Sequence, residues 1–206
     1  MDRLDHLTSV GANTSAIDQA QIALDDAKAE YAALSGGESI PGFEQPYEIG
    51  DTGPAGGIVF YLDESQLHGL EAAPADVDLN GAVAGGASFE WGCYGTALTG
   101  ADGTAIGTGE QNTADILAGC ATANIAAQVA AQYVWPNGQT DGFLRSKDEL
   151  NALYAQKTVV GRFTNSYFWS SSEYPAYFAW FQSFSDGSQN FNPKFITMRV
   201  RAVWAF

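Results

Sequence analysis

The run Asp76-Val77-Asp78-Leu79-Asn80-Gly81 opens as an EF-hand calcium loop does, with oxygen ligands at positions one, three and five and glycine at six. The twelfth position, which should supply a bidentate glutamate, is Ala87. Asp76, Asp78 and Asn80 therefore stand as candidate ligands of a nonstandard calcium site borrowing Glu90 or Asp102, with a plain acidic turn as the alternative. Cys93 and Cys120, with only His6 and His68 elsewhere, are too few for a zinc site. They are either a disulfide or two buried thiols, and their Gly-rich settings (WGCYGT and LAGCATA) favour the disulfide. Catalytic constellations are absent from the sequence. It has no G-x-S-x-G, H-E-x-x-H or P-loop, and Gly107-Thr108-Gly109 does not continue as a dinucleotide fingerprint. Ser170-Ser171-Ser172-Glu173 has no nearby histidine, so its hydroxyls are read as strand-end bonds to backbone, not as nucleophiles.

The strongest signal is aromatic. Residues 163–206 hold more than half of the chain's 5 Trp, 9 Tyr and 12 Phe. Trp169, Trp180, Phe184 and Trp204 are expected in the core. Tyr167, Tyr174, Pro175, Tyr177, Phe178, Phe181, Phe191 and Phe195 fall at predicted turns or strand ends, interleaved with Ser183, Ser185, Asn190 and Asn192. Turns are normally polar, so aromatic turns need a reason. Tyr and Phe give contact area at low entropy cost while Ser and Asn adapt their hydrogen bonds, the chemistry of an antibody paratope. A recognition surface over about residues 165–195 is the expectation.

The elements that must carry these residues follow from periodicity. Residues 13–34 read as a helix with a heptad seam of Ile17, Ala20, Leu24, Ala27, Tyr31 and Leu34, ended by Gly36-Gly37. A lone helix of this length does not bury its seam, so residues 1–36 are expected to self-associate, a homotrimer being favoured. A Gly/Pro-rich linker is assigned to 37–56 and the ligand-binding domain to 57–206. In that domain GIVFYL and LEAAP read as pairing strands, Asn112 or Thr113 as a helix cap, and 125–134 as helical. Ser146–Glu149 is a capping box. Asp186-Gly187 and Asn192-Pro193 mark turns, and alternation from Phe195 to Phe206 predicts one continuous final strand. The class is α+β.

Charge narrows the partners. The formal charge is −15, and fifteen of the 24 acids lie between Glu30 and Asp141, where there is no Lys or Arg. Nucleic-acid binding needs clustered cations and is excluded. The start has acids where a signal peptide has bases, and no apolar run is long enough to span a membrane.

Seven blocks in order, GDTGPAGGIVFYLDESQLHGLEAAP (50–74), EWGCYGT (90–96), AIGTGEQNTADIL (105–117), DGFLRSKDELNALY (141–154), WSSSE (169–173), AWFQSFSDGSQ (179–189) and VRAVWAF (200–206), resemble the Lcl C-terminal-like family (domain of unknown function 1566). The chain departs from that pattern at Gly142, Arg145 and Trp204, positions expected to touch surface details. The resemblance implies a C-type lectin-like fold of the formylglycine-generating-enzyme subtype, used in binding modules. The C-terminal segment also resembles the variable region of diversity-generating retroelement proteins. That implies scaffold at Trp169–Glu173, Ala179-Trp180, Phe184, Gly187, Lys194 and Val200–Val203, and diversification at the twelve residues of the recognition surface. An absent leader and an N-terminal heptad seam lead to a phage tail-fibre receptor-binding protein in the virion, with a bacterial surface or extracellular location as the alternative. Its expected partners are a host cell-surface protein or glycan and other virion tail proteins. The rivals are a structural virion protein and, least favoured for want of a C-terminal cysteine, an oxidase.

Overall fold

In the computed structural model the described residues are 46–79 and 87–206, together with Gln19, Ile22 and Ala23, which are helical. The chain divides into two units, Met1–Gln45 and Pro46–Phe206. The heptad seam, and any association through it, lies outside the described residues.

The β-branched and aromatic run after Gly57 forms β1 (Ile58–Leu62), which pairs antiparallel with β2 (Gly69–Ala72). The compact unit starts earlier than the expected domain boundary at 57. Gly50 donates its N–H to the Val59 carbonyl (2.8 Å), and the Tyr47 ring meets Phe206 at 4.8 Å, so residues 46–56 are folded and not linker. Buried Glu71 on β2 holds the turn before β1 by accepting from the N–H groups of Ala55 (2.7 Å) and Gly57. Burial pushes its carboxyl above the ordinary range, against the lowering effect of those bonds.

After a two-residue β3 (Phe89–Glu90) come α1 (Gly109–Gly119), α2 (Ala126–Ala131), α3 (Lys147–Ala155) and α4 (Lys157–Val160). Helix α1 begins before the expected cap. Thr108 is its N-cap, and Asn112 and Thr113 lie buried inside it. Their side chains tie outward instead: Asn112 donates to the Gly103 carbonyl (2.6 Å), and the Thr113 hydroxyl accepts from the Leu144 N–H (3.0 Å). The capping box at α3 is present in full, with Ser146 and Glu149 bonded reciprocally.

Five strands complete the unit: β4 (Tyr167–Tyr174), β5 (Phe178–Ser183), β6 (Gln189–Pro193), β7 (Thr197–Met198) and β8 (Val203–Ala205). They form three antiparallel sheets, β1-β2-β8, β3-β7 and the ribbon β4-β5-β6, so the protein is α+β. Two apolar clusters lie beneath them. One gathers Trp91, Ile116, Ile125, Trp135 and Trp169, and the other Phe60, Leu150, Leu153, Phe168 and Phe184. No helix among the described residues is long and apolar enough to cross a membrane.

Two turn and strand expectations change. Asn192 and Pro193 lie within β6, paired with Ala179 and Phe178, and the chain turns only after Pro193. The single final strand is two short ones, because Val200–Ala202 leaves the sheets to run beside residues 73–77, while Arg199 bridges to Phe168. The cause is buried charge. Arg201 donates from Nε to one Asp76 oxygen (2.9 Å), with its Nη2 ion-paired to the same oxygen at 2.8 Å, and Arg199 donates to the other (3.0 Å). Arg145 is also wholly buried, bonded to the Arg201 carbonyl, and burial beside Arg201 pushes its pKa down to about 9. Gly142 is buried as well, with no room for a Cβ against the Ala130 carbonyl (2.9 Å). Gly142 and Arg145 are thus interior positions, not surface details.

Candidate binding face

The ribbon is fixed from below by polar groups. Between Trp169 and Glu173 the register shifts, and the serines there are all buried. Ser170 donates to the Trp180 carbonyl (2.9 Å), Ser172 donates to the Gly103 carbonyl (2.6 Å), and Ser171 accepts from the Asn112 amide (3.1 Å). The Ser170 and Ser172 hydroxyls bond backbone carbonyls, as expected, whereas Ser171 meets a side-chain amide. Glu173 pairs with Lys194, both deeply buried, and the same carboxylate oxygen accepts the Leu98 N–H (2.9 Å). The Lys194 ammonium also donates to the Thr96 carbonyl (2.9 Å) and stands 4.4 Å from the Trp91 ring centre. Desolvation pulls its pKa down, and Glu173 opposes that.

The twelve residues of the expected surface divide over the ribbon's two sides and one end. Strand alternation puts Phe178 and Trp180 on one side of β5, and Ala179, Phe181 and Ser183 on the other. On the first side Tyr174 stacks on Phe191 (4.3 Å, 22°), with Trp180 and Phe178 edge-on to that pair. On the second side Tyr167 packs edge-on against Phe181 (5.4 Å), which rests on the core beside Trp169. Asn190 and Asn192, opposite Phe181 and Ala179, share that second side.

At the strand ends Tyr177 and Phe195 flank Tyr94, at 5.2 and 4.9 Å. Tyr167, Tyr174, Pro175, Tyr177, Ser185, Asn190, Phe191 and Phe195 are exposed, while Phe178, Phe181 and Asn192 are half-buried. Ser183 is a correction. It is buried, its N–H bonded to the Ser188 carbonyl (2.9 Å) and its hydroxyl to Ser185 (2.7 Å), because it closes the Asp186-Gly187 hairpin. Trp169 and Phe184 are core as expected, but Trp180 and Trp204 are only half-buried.

Three contributors lie outside the aromatic-rich segment and were not anticipated. Tyr94, 51% exposed, joins the end cluster, and its loop is braced by the Cys93–Cys120 disulfide (Cα–Cα 5.7 Å). Asp102 and Thr104 join Glu173, Tyr174, Pro175 and Trp180 around a cleft of about 480 Å3. A sequence signal existed for Tyr94, an aromatic set between a cysteine and a glycine. None existed for Asp102, which reaches the site only through the tertiary fold.

Among the candidate calcium ligands, both oxygens of Asp76 are taken by guanidinium groups, Asp78 is half-buried, and Asn80 lies outside the described residues. A cation at Asp76 would have to displace two arginines. Among the described residues no three His, Cys, Asp or Glu side chains gather where a metal ion could sit.

No protein-family model matches this chain, and no curated protein matches it. The likeness to the Lcl C-terminal-like family therefore rests on the seven sequence blocks.

Proposed function

We propose that the Pro46–Phe206 unit is a non-enzymatic ligand-binding module of C-type lectin-like fold, displaying its aromatic ribbon to a protein or glycan on a bacterial envelope. In this reading it is the receptor-binding part of a phage tail fibre, multimerised through residues 1–36 and attached to other tail proteins. The observation that carries it is the separation of roles in the ribbon. Exposed Tyr and Phe side chains line it, while the backbone is held by buried serines and the Glu173–Lys194 pair. Exposed rings in contact with one another, set among Asn and Ser, supply the anchors and adaptable contacts of a recognition surface. The α+β make-up and the small antiparallel sheets support the fold that the sequence blocks imply. Multivalency would convert weak single-site contacts into stable attachment.

The test replaces Tyr94, Tyr174, Tyr177 and Phe195 together by Ala, sparing core-packed Phe181. Adsorption of the full chain to host cells should be lost while the circular dichroism spectrum and melting temperature hold. Unchanged adsorption would sink the binding reading and leave a structural virion role. The retroelement component is tested separately in the encoding DNA. A near-copy of the segment for residues 163–206, differing only at adenines and lying beside a reverse-transcriptase gene, is the expected finding. Its absence removes that component alone.

A further inference from the structure

The cleft beside the ribbon mixes residues of the proposed diversified surface with fixed neighbours, and its chemistry is specific. Tyr174, Pro175 and Trp180 give it aromatic and apolar walls, and Asp102, Thr104 and Glu173 give it oxygen acceptors. One Glu173 oxygen, Oε1, is committed to Lys194 and to the Leu98 N–H. The other, Oε2, has no hydrogen-bond partner among the described residues. Asp102 is exposed, yet the segment that presents it is pinned along its length. The carbonyl of Ala101 accepts from the Glu173 N–H (2.7 Å), that of Gly103 from Asn112 and Ser172 (both 2.6 Å), and that of Thr104 from the Asp148 N–H (2.9 Å). The backbone that presents Asp102 and the Glu173 carboxylate is thus fixed before any ligand arrives, which lowers the cost of binding a small polar ligand.

Two ligand classes fit carboxylates beside aromatic rings: an organic cation and a polyhydroxylated ring. The resident charges decide between them. The Lys147 ammonium already stands 4.8 Å from the Trp180 ring centre, and Lys194 already neutralises Glu173. An added cation would meet the repulsion of both ammoniums and a compensated carboxylate. A neutral ring instead brings hydroxyls to donate to Asp102 and to Glu173 Oε2, and an apolar C–H face to lie on Tyr174 or Trp180. We propose that this cleft is a subsite for one neutral hexopyranose unit, held by Asp102 and Glu173 against the Tyr174–Trp180 wall. The proposal rests on the binding-module reading and names the ligand class for part of its surface.

The experiment titrates the full chain with methyl α-glucopyranoside, methyl α-mannopyranoside and methyl β-galactopyranoside, followed by saturation-transfer NMR and tryptophan fluorescence. At least one should bind saturably with a Kd on the order of millimolar. Asp102→Asn, at an exposed side chain, should weaken it about tenfold or more. Trp180→Ala should abolish the NMR transfer signal. No binding by any of the three up to about 50 mM, equal binding by D102N, or preferential binding of tetramethylammonium would overturn the proposal. Cell adsorption distinguishes the two levels. A chain that adsorbs to host cells but binds no glycoside loses the hexopyranose subsite and keeps the module reading, whereas a chain that does neither loses both.

Discussion

Replacing Asp76 by Ala probes the charge arrangement that shapes the end of the chain. Asp76 is 2% exposed and Arg201 0%, and their contact uses two guanidinium nitrogens at 2.8 and 2.9 Å, with Arg199 on the second oxygen at 3.0 Å. Without the carboxylate, Arg201 keeps its bonds to the Ala73 and Arg162 carbonyls but has no counter-charge, and buried Arg145 adds a second cation nearby. Leaving a buried charge unpaired costs about 3–5 kcal/mol. A domain of this size has about 5–15 kcal/mol of stability and loses about 2–4 °C of melting temperature per kcal/mol. D76A should therefore melt roughly 6–20 °C below wild type, with D76N in between because its amide oxygen still accepts. Asp102→Asn, at an exposed acid, should match wild type. Differential scanning calorimetry with and without calcium is the assay. A D76A melt within about 3 °C of wild type, or a calcium-induced rise that D76A abolishes, would refute the reasoning, the second by making Asp76 a metal ligand.

Three further outcomes follow from the same physics. Replacing both Cys93 and Cys120 by Ser opens a 27-residue loop, and chain entropy puts the loss at about 3.5 kcal/mol by urea denaturation; a loss under about 1 kcal/mol would show that the brace does not constrain the unfolded chain. Gly187 sits at φ 81° with a would-be Cβ 2.4 Å from the Tyr154 ring, so Gly187→Ala should cost about 2–4 kcal/mol, and a neutral result would mean the hairpin relaxes freely. Glu71 has a folded pKa above its unfolded value of 4.5, so its contribution is fully present below that pH and is lost as pH rises through the folded value. The stability of wild type minus that of Glu71→Gln should accordingly shrink from acid to neutral pH; a difference that grows over that range contradicts the burial argument.

Local rules with a short reach were legible. The capping box at Ser146–Glu149, the Asp186-Gly187 hairpin and the pairing of β1 with β2 each follow from a few adjacent residues. The final strand was not, because alternation puts Arg199 and Arg201 on one face without showing that they are buried in ion pairs, and long charged side chains are rarely buried unless paired. Their partner is more than a hundred residues away, and no local pattern announces it. Burial of Arg145 and Lys194 escaped composition for the same reason. At the site, aromatic enrichment located the ribbon but treated it as one surface, and only the register shows that Tyr167 and Phe181 lie opposite Trp180 and Phe191. Ser183 failed because a serine's composition does not distinguish a contact from a turn closure. The linker failed because Gly and Pro between residues 50 and 56 also make the tight turn that Glu71 clamps.

The buried ties under the ribbon bear on how this chain can change over generations. Ser170, Ser172, Glu173 and Lys194 hold the strands through atoms that none of the exposed rings supplies. A new residue at Tyr177 or Phe195 alters the exposed surface while leaving foldability nearly untouched. One at Ser172 or Lys194 does the reverse. Inheritance of shape and inheritance of contact are written in different codons, so a large repertoire of surfaces can be drawn from one foldable chain.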